Sequence, residues 1–329
     1  MKHKILALKP LPSAQMDALE ESYDVIKFWE KDNPEAVITD NAQDIQAIMS
    51  TYNSGGVSAG LMDALPNLEI ISQFGVGFDN IDIDAAEHRG ISVTNTPDVL
   101  TDDTADVALF LMLNVARRAV EADMYVRTGH WEEGAMSLST SISGKKVGVV
   151  GLGQIGQAIA KRAEAFNTEV VYHSRSEKDV PYTYYDDLKD MATDVDVMIL
   201  ACAGGPETKN LITYDILEAL GSSGYLVNIA RGSVVNEEDL LIALRNKTIA
   251  GAGLDVFANE PHVPEEMIKM DNVVLSPHVG SATVETRAKM GQLVIDNLDA
   301  HFNGEQLPTP VVEGISNFDT GEDQQYGLS

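Results

Sequence analysis

The sequence predicts an α/β protein made of two Rossmann-like domains with doubly wound parallel sheets. Three observations carry that expectation. Short apolar runs alternate with helical stretches in two successive series. A glycine-rich turn, GLGQIG, joins a strand to a helix early in the second series. The length, 329 residues, suffices for two cores of ordinary size.

The first series opens with KILALK (4–9) and DVIKFW (24–29), two strands flanking a helix that starts near Ser13. QAIMS (46–50) leads into the loop TYNSGG, and LEIISQFG and ISVTNTP continue the alternation to about residue 99. From Thr101 to about Thr128 the pattern is that of one continuous helix, whose opening TDDTAD places acids where the helix dipole favours them. GHWEEGAMSLSTSISG follows without periodicity. The second series begins at KKVGVVG, with strands expected at 146–150, 169–173, 196–201, 225–229, 249–254 and 272–275. Six strands with intervening helices make a doubly wound parallel sheet. Beyond Pro277 a helix over 283–303 is expected to return to the first unit, and PTPVV is extended. Residues 317–329, rich in Asp, Glu, Gly and Gln, are expected to form a disordered acidic tail.

The composition excludes several functions. A formal charge of −28 argues against nucleic acid and anionic membranes, which select Lys/Arg surfaces. It also requires that any anionic ligand be held by a local group of donors. The lone Cys202, in ILACAGG, forbids an intrachain disulfide and suits a reducing compartment; its place at a strand end suits a structural thiol better than a nucleophile. MKHKILALK reads as a first strand and not a signal peptide. ADVALFLMLNVARR is too short to span a bilayer and is interrupted by Asn114. A cytoplasmic protein is expected, and no metal is called for.

The turn Gly151-Leu152-Gly153-Gln154-Ile155-Gly156 follows an apolar strand and opens an amphipathic helix. Its first glycine permits the tight turn, the second lets a pyrophosphate approach the backbone, and the third lets helix and strand pack closely. In this dinucleotide-binding pattern an acid about 20 residues on grips the ribose 2′-hydroxyl and selects NAD. Here the second strand ends in His173-Ser174-Arg175-Ser176, with no acid before Glu177. Two hydroxyls and a guanidinium would donate to a 2′-phosphate that an acid would repel, so NADP(H) is the expected cofactor, with NAD(H) possible.

Three later strand ends carry further candidates: Arg231 in NIARGSVVNEEDL, Asp255 and Glu260 in GAGLDVFANEP, and His278 in SPHVGSAT. Strand carboxyl ends of such sheets line the ligand crevice. Arginine can bind a carboxylate bidentately, histidine can exchange the hydroxyl proton, and a neighbouring glutamate can hold that histidine as the cationic donor. Thr104, near the start of the long helix, is expected to face the cofactor.

Over roughly residues 4–314 the chain resembles the D-isomer-specific 2-hydroxyacid dehydrogenases, through QFGVGFDNIDIDAA, NTPDVLTDDTADVAL, VGVVGLGQIG, NIARGSVVNEEDL, GAGLDVFANEP and SPHVGSAT. Within them it is most similar to the glyoxylate/hydroxypyruvate and hydroxyphenylpyruvate reductase branch. The resemblance implies a cofactor domain (100–286) inserted in a discontinuous substrate, or lid, domain (1–99 with 287–316), with hinges near Asn95–Thr101 and Gly280–Thr286. It implies that Arg231 orients substrate, that His278 is the acid/base and that Glu260 tunes it. It further implies that the Val76 and Gly77 amides take the substrate carboxylate. Ile229, Asp255 and Gly280 would lie beside the cofactor. Asn53 and Ser54, in the TYNSGG loop, are additional substrate candidates. Trp131 and residues 100–145 would form the arm of a homodimer. The expected reaction is NADPH-dependent reduction of glyoxylate, hydroxypyruvate or a phenylpyruvate to the D-2-hydroxy acid. The alternatives are an NAD-dependent dehydrogenase of another small acid and a cofactor-sensing corepressor of the same family. Formate dehydrogenases share the pattern but carry glutamine where Glu260 stands. One departure is Gln154, where the family commonly has arginine; it removes a cation from the phosphate region and leaves Arg175 as the principal one.

Overall fold

The structure, a computed structural model, describes residues 2–314; the stretch 317–329, expected to be a disordered tail, lies outside the described residues. The chain divides into two compact units, one holding the residues up to Val99 and those from Val284 onward, the other Leu100–Thr283.

The first unit begins β1 (Lys4–Ala7), α1 (Ser13–Ser22), β2 (Asp24–Lys27), α2 (Pro34–Asn41), β3 (Ile45–Thr51), α3 (Ala59–Asp63), β4 (Ile70–Phe74), α4 (Ile83–Arg89) and β5 (Ser92–Thr94). Its short helices are fixed by polar caps. The side chains of Asn33, Ser58 and Asp82 accept from Ala36, Leu61 and Ala85 N–H, and Gly90, at φ 67°, closes α4 in the left-handed conformation.

The second unit follows with α5 (Thr101–Arg117), α6 (Ala119–Arg127), β6 (Lys146–Val150), α7 (Gln154–Glu164), β7 (Glu169–His173), β8 (Thr183–Tyr185), α8 (Leu188–Asp194), β9 (Val197–Leu200), α9 (Tyr214–Leu220), β10 (Tyr225–Asn228), α10 (Glu237–Arg245), β11 (Gly251–Leu254), α11 (Glu265–Ile268) and β12 (Val273–Leu275). Its strands lie in the order β12-β11-β10-β9-β6-β7-β8, all parallel. The order reverses between β6 and β9, so a crevice opens at their carboxyl ends, where the glycine turn emerges. Both sheet faces are buried, as a parallel sheet requires: Met191, Met198 and Leu226 on one, Leu111, Val147 and Ile199 on the other. The approach of α5 is close, since a Cβ on Gly253 would meet Leu111 Cβ at 2.9 Å.

The chain then returns to the first unit through α12 (Val284–Asn303) and β13 (Pro310–Val312). The helix packs against α1, where a Cβ on Gly291 would meet Gln15 Cγ at 2.8 Å, and over β4, where Ser72 Oγ donates to Val294 O. The first sheet runs β13-β5-β4-β3-β1-β2, with β13 antiparallel and the rest parallel. This is the other common doubly wound order.

Two expectations are corrected. The single helix from Thr101 is two, because Arg118 adopts φ 52° and its guanidinium bonds Glu121 in α6 and Ser137 beyond it. Periodicity cannot register one left-handed residue. The second sheet has seven strands and not six; β8 is three residues at the sheet edge, too short to show alternation.

Candidate active site

In the second unit the glycine turn is sterically committed. A Cβ on Gly151 would lie 2.5 Å from Cys202 Cα, and one on Gly156 would lie 2.1 Å from Gly151 O. Gly153 instead faces open space, with nothing within 4 Å, at the N-cap of α7. A turn closed on two sides and open at its middle glycine fits a pyrophosphate laid across a helix N-terminus. Leu152 is buried beneath it, Ile155 is partly buried and Gln154 is exposed. Cys202 abuts the turn, and burial pushes its thiol up to about 11, which keeps it protonated and poorly nucleophilic.

At the tip of β7, His173 Nδ1 donates to Tyr185 O (3.0 Å), and Ser174 Oγ donates to Ser176 O (2.7 Å). Arg175 is 94% exposed and lies 3.6 Å from Glu207 in the loop after β9. The guanidinium stands free enough of the fold to meet an anion, with one exposed carboxylate competing for it.

The strand ends on the other side of the switch point converge. Asn228, last in β10, accepts from Ala230 N–H (3.0 Å) and donates to Arg231 O (2.9 Å), shaping the turn that presents Arg231; Ile229 is buried within it. Gly232 is required there, because any Cβ would meet Phe257 C at 1.9 Å. That close approach brings the Arg231 turn against the loop carrying Glu260. Glu260 Oε2 lies 2.8 Å from His278 Nδ1, and its Oε1 accepts from Phe257 N–H (3.1 Å). Burial raises the Glu260 carboxyl, but the hydrogen bond and charge of His278, the Phe257 amide and the Arg231 charge outweigh it, so the net shift is downward. An ionised carboxylate at Nδ1 orients the imidazole.

His278 itself adopts φ 54°, uncommon for a residue with a side chain. The buried carboxylate of Asp255 accepts from both following amides, Val279 and Gly280, each at 2.9 Å. Thr104 Oγ1 donates to Gly280 O at 3.1 Å. Asp255, Thr104 and Gly280, expected beside the cofactor, are thus joined in a clamp that holds the His278 backbone in its strained geometry.

In the first unit the loop Gly75–Gly77 is held by its carbonyls. Thr96 N–H donates to Gly75 O (2.9 Å), Asn95 Nδ2 to Val76 O (2.8 Å) and Gln73 Nε2 to Gly77 O (3.1 Å). Gln73, fully buried, also donates to Asn80 Oδ1 and accepts from Ser50 Oγ. With all three carbonyls tied back, the Val76 and Gly77 N–H groups have no acceptor among the described residues. Successive free amides of this kind form an anion-binding concavity. Asn53 and Ser54 are engaged locally: Thr51 Oγ1 donates to Asn53 Oδ1, and Ser54 Oγ donates to Thr51 O, each at 2.7 Å. The sequence reading missed Gln73 and Asn95, whose only signal was amide side chains flanking a glycine loop.

A dinucleotide cradle, an imidazole–carboxylate pair and an arginine, all at the carboxyl edge of one parallel sheet, define a nucleotide-dependent oxidoreductase. Residues 109–280 match the family described as D-isomer specific 2-hydroxyacid dehydrogenase, NAD binding domain. The glyoxylate/hydroxypyruvate reductase A of Arabidopsis thaliana is 47% identical over 309 residues, covering 94% of this chain and 98% of that protein. The 2-ketogluconate reductase of Gluconobacter oxydans is also 47% identical, over 94% of this chain and 99% of that one. Among solved structures, the NADPH-dependent glyoxylate/hydroxypyruvate reductase of Sinorhizobium meliloti in complex with NADP and malonate has a TM-score of 0.90 at 44% identity, covering 95% of this chain and 98% of that one. The chain belongs to the D-isomer specific 2-hydroxyacid dehydrogenase family.

Proposed function

We propose that this protein reduces a small 2-oxo acid, glyoxylate or hydroxypyruvate, to the D-2-hydroxy acid with NADPH. The observation that carries the reading is the His278–Glu260 pair at 2.8 Å with the charge of Arg231 acting on the same carboxylate. NADPH, when bound, supplies the hydride. His278, oriented through Nδ1, protonates the carbonyl oxygen from Nε2. Arg231 binds the substrate carboxylate and polarises the adjacent carbonyl; in the first unit, the Val76 and Gly77 amides are assigned to substrate binding. The glycine turn holds the pyrophosphate, and Ser174, Arg175 and Ser176 take the 2′-phosphate.

The relatives support this reading. The Arabidopsis and Sinorhizobium proteins are named for glyoxylate and hydroxypyruvate, and the latter carries NADP. The Plectranthus scutellarioides hydroxyphenylpyruvate reductase, 46% identical, keeps phenylpyruvates in the panel. A corepressor without turnover is disfavoured by an imidazole held, through a strained backbone, in working geometry. We place the protein in the cytoplasm; no helix among the described residues is long and apolar enough to cross a membrane. We also propose a homodimer, supported by the exposure of Phe110, Val120, Met124, Val126, Trp131 and Leu138 along one stretch of the second unit. Steady-state assays with glyoxylate, hydroxypyruvate, 2-ketogluconate and phenylpyruvates, each with NADPH and NADH, test the reading. Turnover with NADPH on the first two is expected; no turnover on any of them overturns it.

A further inference from the structure

The edge strand β8 brings a second tyrosine to the nucleotide end of the second unit. Tyr184 of β8 sits beside Tyr172 of β7 in the parallel register, so both rings lie on one face of the sheet. Their centroids are 5.4 Å apart and their planes are tilted by 45°. Tyr172 is fully buried and Tyr184 partly so.

Both hydroxyls leave the core for the same loop. Tyr172 Oη accepts from Lys178 N–H (2.8 Å) and donates to Lys178 O (3.3 Å). Tyr184 Oη lies 3.2 Å from Ser174 O and 3.1 Å from Asp186 Oδ1, near-equal distances that suit one proton shared between two acceptors. Strand pairing ends at His173 and Tyr185, and residues 175–179 are exposed. The loop from Ser174 to Lys178 is therefore fastened at each end by a phenol, with Ser174 Oγ bonded to Ser176 O between them. Two phenylalanines would pack the same way and would bring no hydroxyl into the core that has to find a partner. What the hydroxyls add is a fixed loop. That loop carries Ser174, Arg175 and Ser176, and a loop ordered beforehand does not lose its conformational freedom when a ligand arrives.

Resting on the assignment of the β7 tip to the 2′-phosphate, we propose that Tyr172 and Tyr184 are positioning residues for coenzyme selection, which hold the loop in the conformation that presents its donors to that phosphate. Neither hydroxyl needs to touch the coenzyme. The neighbouring Tyr185 supplies a control, because its hydroxyl donates to Asp194 at the end of α8 (2.5 Å) and not to the loop.

The test measures dissociation constants at fixed low salt: NADPH and NADH by fluorescence titration, adenosine 2′,5′-bisphosphate and 5′-AMP by calorimetry. It compares wild type, Tyr172→Phe, Tyr184→Phe, Tyr185→Phe, Arg175→Ala and the double variant Arg175→Ala/Tyr184→Phe. Wild type should prefer each 2′-phosphorylated ligand. Tyr172→Phe and Tyr184→Phe should each weaken NADPH and the bisphosphate about three- to tenfold, the worth of one hydrogen bond, and leave NADH and 5′-AMP within about twofold. Tyr185→Phe should change none of the four. In the Arg175→Ala background Tyr184→Phe should weaken NADPH by a smaller factor than in wild type, since part of what it positions is gone. If Tyr172→Phe does not fold, Tyr184→Phe, at a partly exposed edge residue, decides the matter. Equal weakening of phosphorylated and unphosphorylated ligands, no change in any, full additivity with Arg175→Ala, or the same pattern in Tyr185→Phe overturns the proposal while leaving the β7 tip assigned to the phosphate. A wild type indifferent to the 2′-phosphate, or an Arg175→Ala that weakens NADPH and NADH alike, overturns both.

Discussion

Replacing Arg175 with alanine should separate the two coenzymes. The side chain is 94% exposed and its only ion-pair partner among the described residues is Glu207 at 3.6 Å, itself 77% exposed. An exposed pair at that distance adds little to stability, so the unfolding midpoint of Arg175→Ala should stay near wild type. A hydrogen bond to a charged group contributes ~1.5–3 kcal/mol, and solvent exposure places this one at the lower end, or about tenfold in affinity. The KM for NADPH should therefore rise about tenfold while that for NADH, which lacks the 2′-phosphate, changes little. The competing carboxylate supplies an internal check. Glu207→Gln frees the guanidinium and should lower the NADPH KM by up to about fivefold at low salt, an effect that fades as screening grows. Initial rates at saturating 2-oxo acid, across a range of ionic strength, measure all three quantities. Equal changes for NADPH and NADH, or no change for either, would refute the assignment of the β7 tip to the 2′-phosphate.

Three further outcomes are expected. His278→Asn should lower kcat by about 10²- to 10⁴-fold with an unchanged NADPH dissociation constant by fluorescence titration; equal loss of both would show that the side chain holds the cofactor and not the proton. Gln73→Glu, nearly isosteric, cannot donate to Gly77 O, so the loop amides should lose their aim: KM for the 2-oxo acid should rise about tenfold or more while kcat and NADPH affinity hold, and a fall in kcat alone would contradict this. Glu260 has its pKa lowered by folding, so its contribution to stability is present above the ordinary carboxylate range and disappears as pH falls through the lowered value. The unfolding midpoint of Glu260→Gln should accordingly depend less steeply on pH over that acidic window than wild type, and identical slopes would count against the pairing.

Much of the molecule was legible in the chain. Apolar runs bounded by turn residues located β1, β4, β6, β7 and β10, because contiguous side chains alone decide whether a strand can be buried. GLGQIG announced its own geometry, since only glycine survives where a Cβ would meet Cys202 or Gly151. Arg231, Glu260 and His278 were found because each lies in the loop that follows a strand, and strand carboxyl ends share one edge of a parallel sheet. The break at Arg118 and the edge strand β8 were not legible, as each depends on a single dihedral or on three residues of pairing.

The sequence by itself determined the order of elements, the nucleotide turn, the acid-free tip of β7 and which side chains could carry the chemistry. Tertiary structure decided which donors remain available. It engages Asn53 and Ser54 within their own turn and leaves the Val76 and Gly77 amides without acceptors among the described residues. It directs both oxygens of Asp255 to the backbone after His278. The physical reason is that a hydrogen-bonding group is free or occupied according to partners distant in the chain, as Asn95 is from Val76 and Asp255 from Val279. Propensity and periodicity are sums over near neighbours and contain no record of those pairings.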